Sequence, residues 1–319
     1  MLSVRARIFR SFMRKKVNLN PINTPDAVAL LRGTEELNEP ASDEEGVKFL
    51  KETTRDGTPY ERVVSDKREE KSGKLIFFLH GGAYIGGLTS LYRKISPSLV
   101  KAGGECEIIF PDYRLAPEHT FPSQLEDAQK VWQDVTERQG YEPKNILIMG
   151  DSAGANLALS LMLKLRDEGN PLPCGGVCIS VWGDMTLSGE SYLKNYSKDP
   201  MFGAKGRKPS PEARHELMNS SIFSFVGDAD RLHPYVSPIF GDFNGFPPMF
   251  FTVGSHEMLL DDTLTIVKKL KEKNVPVTCE IGKGLFHIYP LCAKFFPEAM
   301  ESYKKILDFV GEQLENKQQ

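Results

Sequence analysis

The sequence lacks long hydrophobic runs and a dominant charge. No apolar stretch approaches the roughly 18 to 20 residues of a membrane span, so we expect no stable membrane insertion. The chain has 40 Lys and Arg against 43 Asp and Glu, a net charge of −3. This balance provides no global attraction to nucleic acid or to an anionic surface. We therefore expect a small, uncharged or weakly charged molecule as partner.

Cysteine is also scarce, and its spacing excludes the usual cysteine-based sites. The five residues are an odd number and contain no C-x-x-C pair, which argues against a zinc or redox motif. We interpret them as reduced core thiols of a cytoplasmic protein. There is no phosphate-binding loop, because the glycine-rich G-D-S-A-G lacks the lysine of a P-loop, and we expect no cofactor. The cysteines are Cys106, Cys174, Cys178, Cys279 and Cys292.

What the sequence does contain is a series of short apolar runs separated by helix-length stretches. Consecutive rather than alternating apolar residues indicate strands buried on both faces. Strands that alternate with helices of ten or more residues predict an α/β fold with a mostly parallel central sheet and helices on both faces. Ligands bind such sheets at the carboxyl ends of the strands. The clearest runs are KLIFFLH (74–80), CEIIFPDY (106–113), NILIMG (145–150), GGVCISVW (175–182) and MFFTVG (249–254).

Two segments do not follow this alternation. Residues 1–18 carry six basic and no acidic residues, with apolar residues spaced as one helical face. A helix packed on the protein's own surface is our preferred interpretation, and an interfacial membrane helix or an Arg-rich transit peptide are the alternatives. Residues 183–234 form a long, weakly patterned stretch whose scattered apolar residues favour a lid over a disordered insertion.

The most informative motif is GDSAGANLAL at 150–159, which follows a predicted strand and precedes a predicted helix. Gly150, Ser152 and Gly154 form a G-x-S-x-G pattern, typical of a nucleophile held at a sharp strand-to-helix turn. A serine hydroxyl is a poor nucleophile at neutral pH, so it needs a base and a third group that orients the base.

Four histidines follow Ser152 in the chain. His287 comes just after the predicted strand 277–282, at the sheet end where Ser152 is expected, and we predict that it is the base. His215 and His233 lie in the predicted lid. His256 lies where the chain order serine, acid, histidine places the loop of the acid.

Glu257 is the first carboxylate after the strand MFFTVG and is our candidate for the acid that orients His287. Glutamate reaches further than aspartate but accepts the same imidazole N–H. Asp261 is the alternative. It and Asp262 stand where a helix begins, and the helix dipole already explains negative charge there.

Acyl transfer also needs hydrogen-bond donors directed at the developing oxyanion. FFLHGGAYIGG at 77–87 places Gly81, Gly82 and Ala83 directly after a buried strand, where glycines let the backbone present its N–H groups. The amide of Ala153, at the start of the helix after Ser152, is the remaining candidate donor.

These motifs together resemble those of the hormone-sensitive-lipase-like carboxylesterases of the α/β-hydrolase superfamily. The resemblance runs from about residue 60 to the C-terminus. It implies an acyl-enzyme mechanism with Ser152 as nucleophile, His287 as base and the oxyanion donors named above. The motifs that carry it are HGGAY (80–84), DYRLAPEHTFP (112–122), GDSAGANLAL (150–159), HEMLLDD (256–262) and GLFHIYP (284–290).

Two positions depart from the family pattern. Ala83 replaces the usual third glycine of the loop, although its N–H is retained. Glu257 stands where the family has its catalytic aspartate, and Asp261 occupies the second acidic position. The acid is therefore the least secure member of the predicted site.

The resemblance also implies an organisation into a helical cap and a core. The cap would comprise residues 1–50 and 183–234, and the α/β-hydrolase core residues 51–182 and 235–319. The segment DYRLAPEH would brace the active-site loops through Asp112, Arg114, Glu118 and His119, with His119 as a possible pocket residue instead. A homodimer through the sheet edge at 277–281 is a further possibility of this family.

The predicted function is hydrolysis of short-acyl carboxylic esters by a serine carboxylesterase with a Ser-Glu-His triad. An amidase or peptidase with the same triad is an alternative, because the pocket rather than the triad selects the leaving group. A non-catalytic receptor on the same fold is another. Receptors of that type lack the base, whereas His287 is present here.

Overall fold

The computed structural model describes residues 2–21, 24, 26–33, 46–67 and 71–315. Its centre is an eight-stranded sheet with strand order β1-β2-β4-β3-β5-β6-β7-β8. Strands β3 to β8 run parallel, whereas β2 pairs antiparallel with both β1 and β4. The strands are β1 Val47–Thr53, β2 Pro59–Ser65, β3 Leu75–Leu79, β4 Glu107–Pro111, β5 Ile146–Asp151, β6 Gly175–Ile179, β7 Met249–Gly254 and β8 Val277–Gly282.

The predicted mostly parallel sheet is confirmed, and the reason lies in the burial of its strands. Every residue of β3, β4, β5, β6 and β7 is buried, as expected for strands covered on both faces. Consecutive residues of β3 contribute to two different hydrophobic cores: Phe77 belongs to one and Phe78 to the other.

Helices cover both faces of the sheet. Helices α3 and α9 pack into the core on one side, and α4, α5 and α8 pack into the core on the other. The predicted helix at 122–139 is α4 followed by a turn of π-helix, Asp134–Arg138. The helices are α1 Val4–Lys16, α2 Ala27–Gly33, α3 Ser90–Ala102, α4 Ser123–Gln133, α5 Ala153–Asp167, α6 Ser191–Lys194, α7 Pro211–Met218, α8 Leu260–Glu272 and α9 Pro297–Glu315.

Strand β1 was not predicted, and it corrects the boundary between the N-terminal segment and the core. It runs from Val47 to Thr53 and so crosses residue 50, where the predicted cap ends. Its sequence, VKFLKET, is rich in charge, and most of its side chains are exposed or half-buried because it lies at the edge of the sheet. Such a strand lacks the continuous apolar run by which the buried strands are found. Residues 34–45 of the predicted cap lie outside the described part of the chain.

None of the helices in the described ranges combines the length and the apolar character that a bilayer-spanning helix requires. The N-terminal helix predicted from the basic segment is present as α1, and Ala6 and Met13 on its inner face are buried against the protein. Its N-cap is Ser3, whose hydroxyl accepts the N–H of Ala6.

Candidate active site

Ser152 occupies the turn between the end of β5 and the start of α5. Its backbone has φ 54° and ψ −119°, a conformation that non-glycine residues adopt only at a cost and that is common at functional turns. The turn is held by the Ser152 N–H, which donates to the carbonyl of Ile179 over 2.8 Å. The predicted sharp strand-to-helix turn is therefore present.

The glycines on either side of the turn are required by close backbone packing. A Cβ on Gly150 would lie 2.4 Å from the carbonyl oxygen of Gly154, and one on Gly154 would lie 2.0 Å from that of Leu79. No side chain fits at such distances. The G-x-S-x-G spacing is thus explained by the way α5 starts directly against β3 and β5.

His287 and Glu257 form a buried pair. Nδ1 of His287 lies 2.9 Å from Oε2 of Glu257, and the two residues are 2% and 0% exposed. Glu257 follows β7 and His287 follows β8, so the parallel pairing of these strands brings together two residues that are 30 positions apart. The pairing is the one that a serine hydrolase uses to orient its base.

The second carboxylate oxygen of Glu257 is held by two donors. Ser180 Oγ donates to Oε1 over 2.8 Å, and the N–H of Gly254 donates to the same atom. Ser180 Oγ also accepts the N–H of Ile288, the residue after His287. Sequence reasoning missed Ser180, although its position directly after the buried strand β6 is the signal that could have found it.

The alternative acid and bases lie elsewhere. Asp261 Oδ2 accepts the N–H of Ser191 over 2.7 Å, and Asp261 is bonded to the 183–234 segment rather than to His287. Nδ1 of His256 lies 3.0 Å from a guanidinium nitrogen of Arg10 in α1. His215 and His233 are exposed to solvent.

Gly82 and Ala83, two of the predicted oxyanion donors, lie in the glycine loop after β3. Both have positive φ angles, 116° at Gly82 and 55° at Ala83. Ala83 thus adopts a conformation that favours glycine, which explains why the family pattern has glycine there. In the described part of the chain, no acceptor is bonded to the amides of Gly82, Ala83 or Ala153. Ala153 is the first residue of α5, where amides point at a ligand rather than into the helix.

Gly81 differs from its neighbours, and this corrects its predicted place among the donors. Its N–H lies 2.7 Å from the hydroxyl oxygen of Tyr92 and 3.0 Å from Oδ1 of Asp151. Because this N–H already has acceptors inside the protein, it is not free to bind an oxyanion. Gly81 instead fixes the loop, and a Cβ there would lie 2.3 Å from Oδ2 of Asp151.

Asp151 is a buried carboxyl that sequence reasoning did not single out. Tyr92 donates its hydroxyl hydrogen to it, with oxygen–oxygen distances of 3.1 and 3.2 Å. Burial raises the pKa of Asp151 to about 6, against the opposing effects of the Tyr92 hydrogen bond and of nearby His287. Asp151 directly precedes Ser152 and accepts the N–H of Gly81. It therefore connects the serine turn to the glycine loop.

One cavity connects these parts. It has a volume of about 310 Å³ and is lined by Ser152, His287 and the loop at 81–83. Its walls are largely apolar and come from segments remote in sequence. The N-terminal segment contributes Met13, Val17, Leu19 and Leu31, and the 183–234 segment contributes Met201 and Phe202.

The DYRLAPEH segment contacts the start of the glycine loop through Tyr113. The Tyr113 ring stacks on His80 at 4.3 Å between centroids, and its hydroxyl donates to the His80 carbonyl over 2.6 Å. Arg114 pairs with Asp127 over 2.8 Å. Glu118 pairs with Arg32 of α2.

The other two polar residues of that segment, Asp112 and His119, are exposed, and neither is among the residues that line the cavity. Within the described ranges, no group of three or more His, Cys, Asp and Glu side chains is arranged to hold a metal ion. The five cysteines are free thiols, and four of them are buried.

Comparison with known proteins decides the family. The model of the α/β-hydrolase fold family matches residues 76–291. An esterase of Acinetobacter venetianus is 33% identical over 243 residues, 76% of each chain. A crystal structure of an esterase from the bacterial hormone-sensitive lipase family superposes with a TM-score of 0.81 at 26% identity, covering 98% of this chain and 99% of that one. The chain belongs to the hormone-sensitive-lipase-like esterases of the α/β-hydrolase superfamily.

Two further relatives of the esterase agree with this assignment. An acetyl-hydrolase of Streptomyces hygroscopicus is 32% identical over 228 residues, 72% of each chain. An esterase/lipase from an uncultured bacterium superposes with a TM-score of 0.82 at 29% identity over 98% of this chain and 99% of that one. The esterase is a serine carboxylesterase, and the predicted fold and enzyme class are confirmed.

Proposed function

We propose that the esterase hydrolyses short-acyl carboxylic esters with Ser152 as nucleophile, His287 as base and Glu257 as the acid that orients His287. The observation that carries this proposal is the buried contact of 2.9 Å between His287 Nδ1 and Glu257 Oε2, because His287 lines the same cavity as Ser152. With Nδ1–H donating to the carboxylate, Nε2 is the basic nitrogen and is available to the serine.

The proposed reaction has two halves. Ser152 Oγ attacks the ester carbonyl carbon while its proton passes to Nε2 of His287, and the imidazolium then protonates the departing alcohol. Water repeats the sequence on the acyl-enzyme and releases the acid. The negative oxygen of each tetrahedral intermediate would accept from the amides of Gly82, Ala83 and Ala153, and each such donor contributes about 10²- to 10³-fold in rate.

The substrate class follows from the cavity. A volume of about 310 Å³ is at the lower end of small-molecule sites, which run from about 300 to 1,000 Å³. Its largely apolar walls suit an aliphatic or aryl group. We assign the cap to residues 2–33 and 183–234, because both segments supply walls of this cavity.

Hydrolysis of p-nitrophenyl esters from acetyl to octanoyl tests the proposal. We expect turnover with a maximum at short acyl chains, and we expect Ser152→Ala to abolish it. Absence of hydrolysis at every chain length would refute the proposal. Matched p-nitroanilides should be cleaved far more slowly, and faster cleavage of the anilides would establish an amidase instead.

We also propose that the esterase is cytoplasmic and forms a homodimer. Five free thiols, four of them buried, suit a cytoplasmic protein, since disulfides form in oxidising compartments.

Strand β8 is the last strand of the sheet and exposes Ile281, so we propose that two copies pair along this edge. Light scattering should give the mass of a dimer, and Ile281→Lys should give that of a monomer.

A further inference from the structure

Helix α1 presents an apolar stripe to solvent. Val4, Ile8 and Phe12 are 61%, 65% and 51% exposed. They are spaced four residues apart and therefore lie on one face of the helix. The opposite face is already used, because Ala6 and Met13 are buried against the protein and Met13 lines the cavity. The stripe is thus a second apolar face that the described part of the chain leaves uncovered.

The stripe continues onto a second element. The Phe9 ring lies 6.0 Å from the Phe12 ring and 4.8 Å from that of Phe295, which precedes α9. Phe295 is 57% exposed. We call Val4, Ile8, Phe12 and Phe295 the N-terminal patch. Large apolar side chains that are contiguous and exposed in this way mark an interaction site more often than single ones do.

Basic residues border the stripe on both sides. At about 100° per residue, Arg5 and Lys16 lie on one side of the stripe and Arg7 lies on the other, with Lys15 between Val4 and Ile8 in projection. All four are exposed. Of the remaining basic residues of α1, Arg10 and Arg14 donate hydrogen bonds to carbonyl oxygens of the protein: Arg10 to Gly284, and Arg14 to Ser197 and Lys198.

One acidic side chain at the start of the helix already has partners within the protein. Glu298 accepts the N–H and the hydroxyl of Ser3 at the start of α1. Residues 2–17 contain six basic residues and no acidic one. The helix that carries the stripe is therefore positively charged in a chain whose net charge is −3.

We propose that the N-terminal patch docks the esterase onto an anionic phospholipid surface, with α1 lying in the plane of the headgroups. An exposed apolar stripe with basic residues beside it is the pattern of interfacial helices, whose apolar face enters the acyl boundary while Lys and Arg meet anionic headgroups. A second copy of the chain fits less well. A two-fold interface apposes the same patch on both subunits and would bring the basic residues of one copy against those of the other.

Docking would also bring the cavity close to membrane-bound esters. This consequence rests on the proposed function. Met13 and Val17 line the cavity from the side of α1 opposite the stripe. The cavity would then lie about one helix diameter, roughly 10 Å, from the lipid surface. Esters that partition into the membrane would be concentrated beside the site.

Co-sedimentation of the full chain with vesicles tests the docking. The vesicles are phosphatidylcholine alone and an equal mixture of phosphatidylcholine and phosphatidylglycerol. The variant is Ile8→Ser/Phe12→Ser, and the matched control is Leu193→Ser/Leu232→Ser, which removes two exposed leucines outside the patch. We expect wild type and control to bind the mixed vesicles at least about tenfold more tightly than neutral ones, and the variant to lose most of this binding.

Hydrolysis of a water-soluble ester without vesicles is measured on the same samples, because it separates the two proposals. We expect all three proteins to retain it, and Ser152→Ala to bind vesicles while lacking hydrolysis. Three results would overturn the docking: no preference for anionic vesicles, equal binding by the patch variant, or a dimer in solution that the patch variant dissociates.

Discussion

Oε2 of Glu257 lies 2.9 Å from Nδ1 of His287, and Oε1 of the same carboxylate accepts the hydroxyl of Ser180. Both carboxylate oxygens therefore have partners, so that a carboxylate with no solvent exposure is held in one orientation. A buried charge is tolerated only with such partners. This arrangement supports the proposal that glutamate takes over the role that aspartate has in relatives.

The identity of the acid is testable by substitution. We expect Glu257→Gln to lower kcat by roughly 10² to 10⁴, because an amide does not stabilise the imidazolium and favours the wrong tautomer of His287. Asp261→Asn should leave kcat within about twofold of wild type, since the Asp261 carboxylate bonds to the N–H of Ser191. Steady-state kinetics on one aryl ester gives kcat for both variants. A large loss in Asp261→Asn with little loss in Glu257→Gln would reassign the acid to Asp261.

The buried carboxyl of Asp151 predicts a pH-dependent stability. Its pKa is about 6 in the folded protein against an ordinary 3.8, so folding favours the protonated carboxyl. This contribution is complete below about pH 4 and is lost as the pH rises through about 6. Asparagine stays neutral and still accepts from Gly81 and Tyr92.

We therefore expect Asp151→Asn to gain up to about 3 kcal/mol in free energy of unfolding over wild type between pH 4 and pH 8. Urea unfolding of both proteins across this range measures the difference. A difference that does not change with pH would show that Asp151 titrates alike in the folded and unfolded chains.

The backbone packing around the serine turn predicts an intolerant position. A Cβ on Gly154 would lie 2.0 Å from the Leu79 carbonyl oxygen and 2.4 Å from that of His80. We expect Gly154→Ala to lower the free energy of unfolding by about 3 kcal/mol or more, or to prevent folding. Gly33→Ala is the matched control, because no atom of another residue in the described ranges lies within 4 Å of its added Cβ. Equal stability of the two variants in urea would contradict the packing argument.

The apolar wall from the N-terminal segment predicts control over acyl length. Val17 lines the cavity of about 310 Å³, and Val17→Trp would fill part of it. We expect kcat/KM for octanoyl esters to fall at least about tenfold while that for acetyl esters stays close to wild type, because the larger side chain takes the space that a long acyl chain needs. The ratio of the two values is the measurement. An equal loss at both lengths would place Val17 away from the acyl chain.

The sequence by itself determined the features that are encoded locally. Consecutive apolar residues identified the buried parallel strands, because only a strand covered on both faces needs them. Gly150 and Gly154 identified the serine turn, because their backbones pack too closely for any side chain. The order of motifs then indicated His287 and the family.

The tertiary structure decided what depends on contacts between distant residues. Asp151 meets Gly81 across 70 positions, and this contact removes the N–H of Gly81 from the oxyanion donors. Strand β1 was missed because an edge strand needs no apolar run. The cavity draws its walls from both ends of the chain. Such contacts arise from the strand order and from how the outer segments fold over the sheet, which no local pattern records.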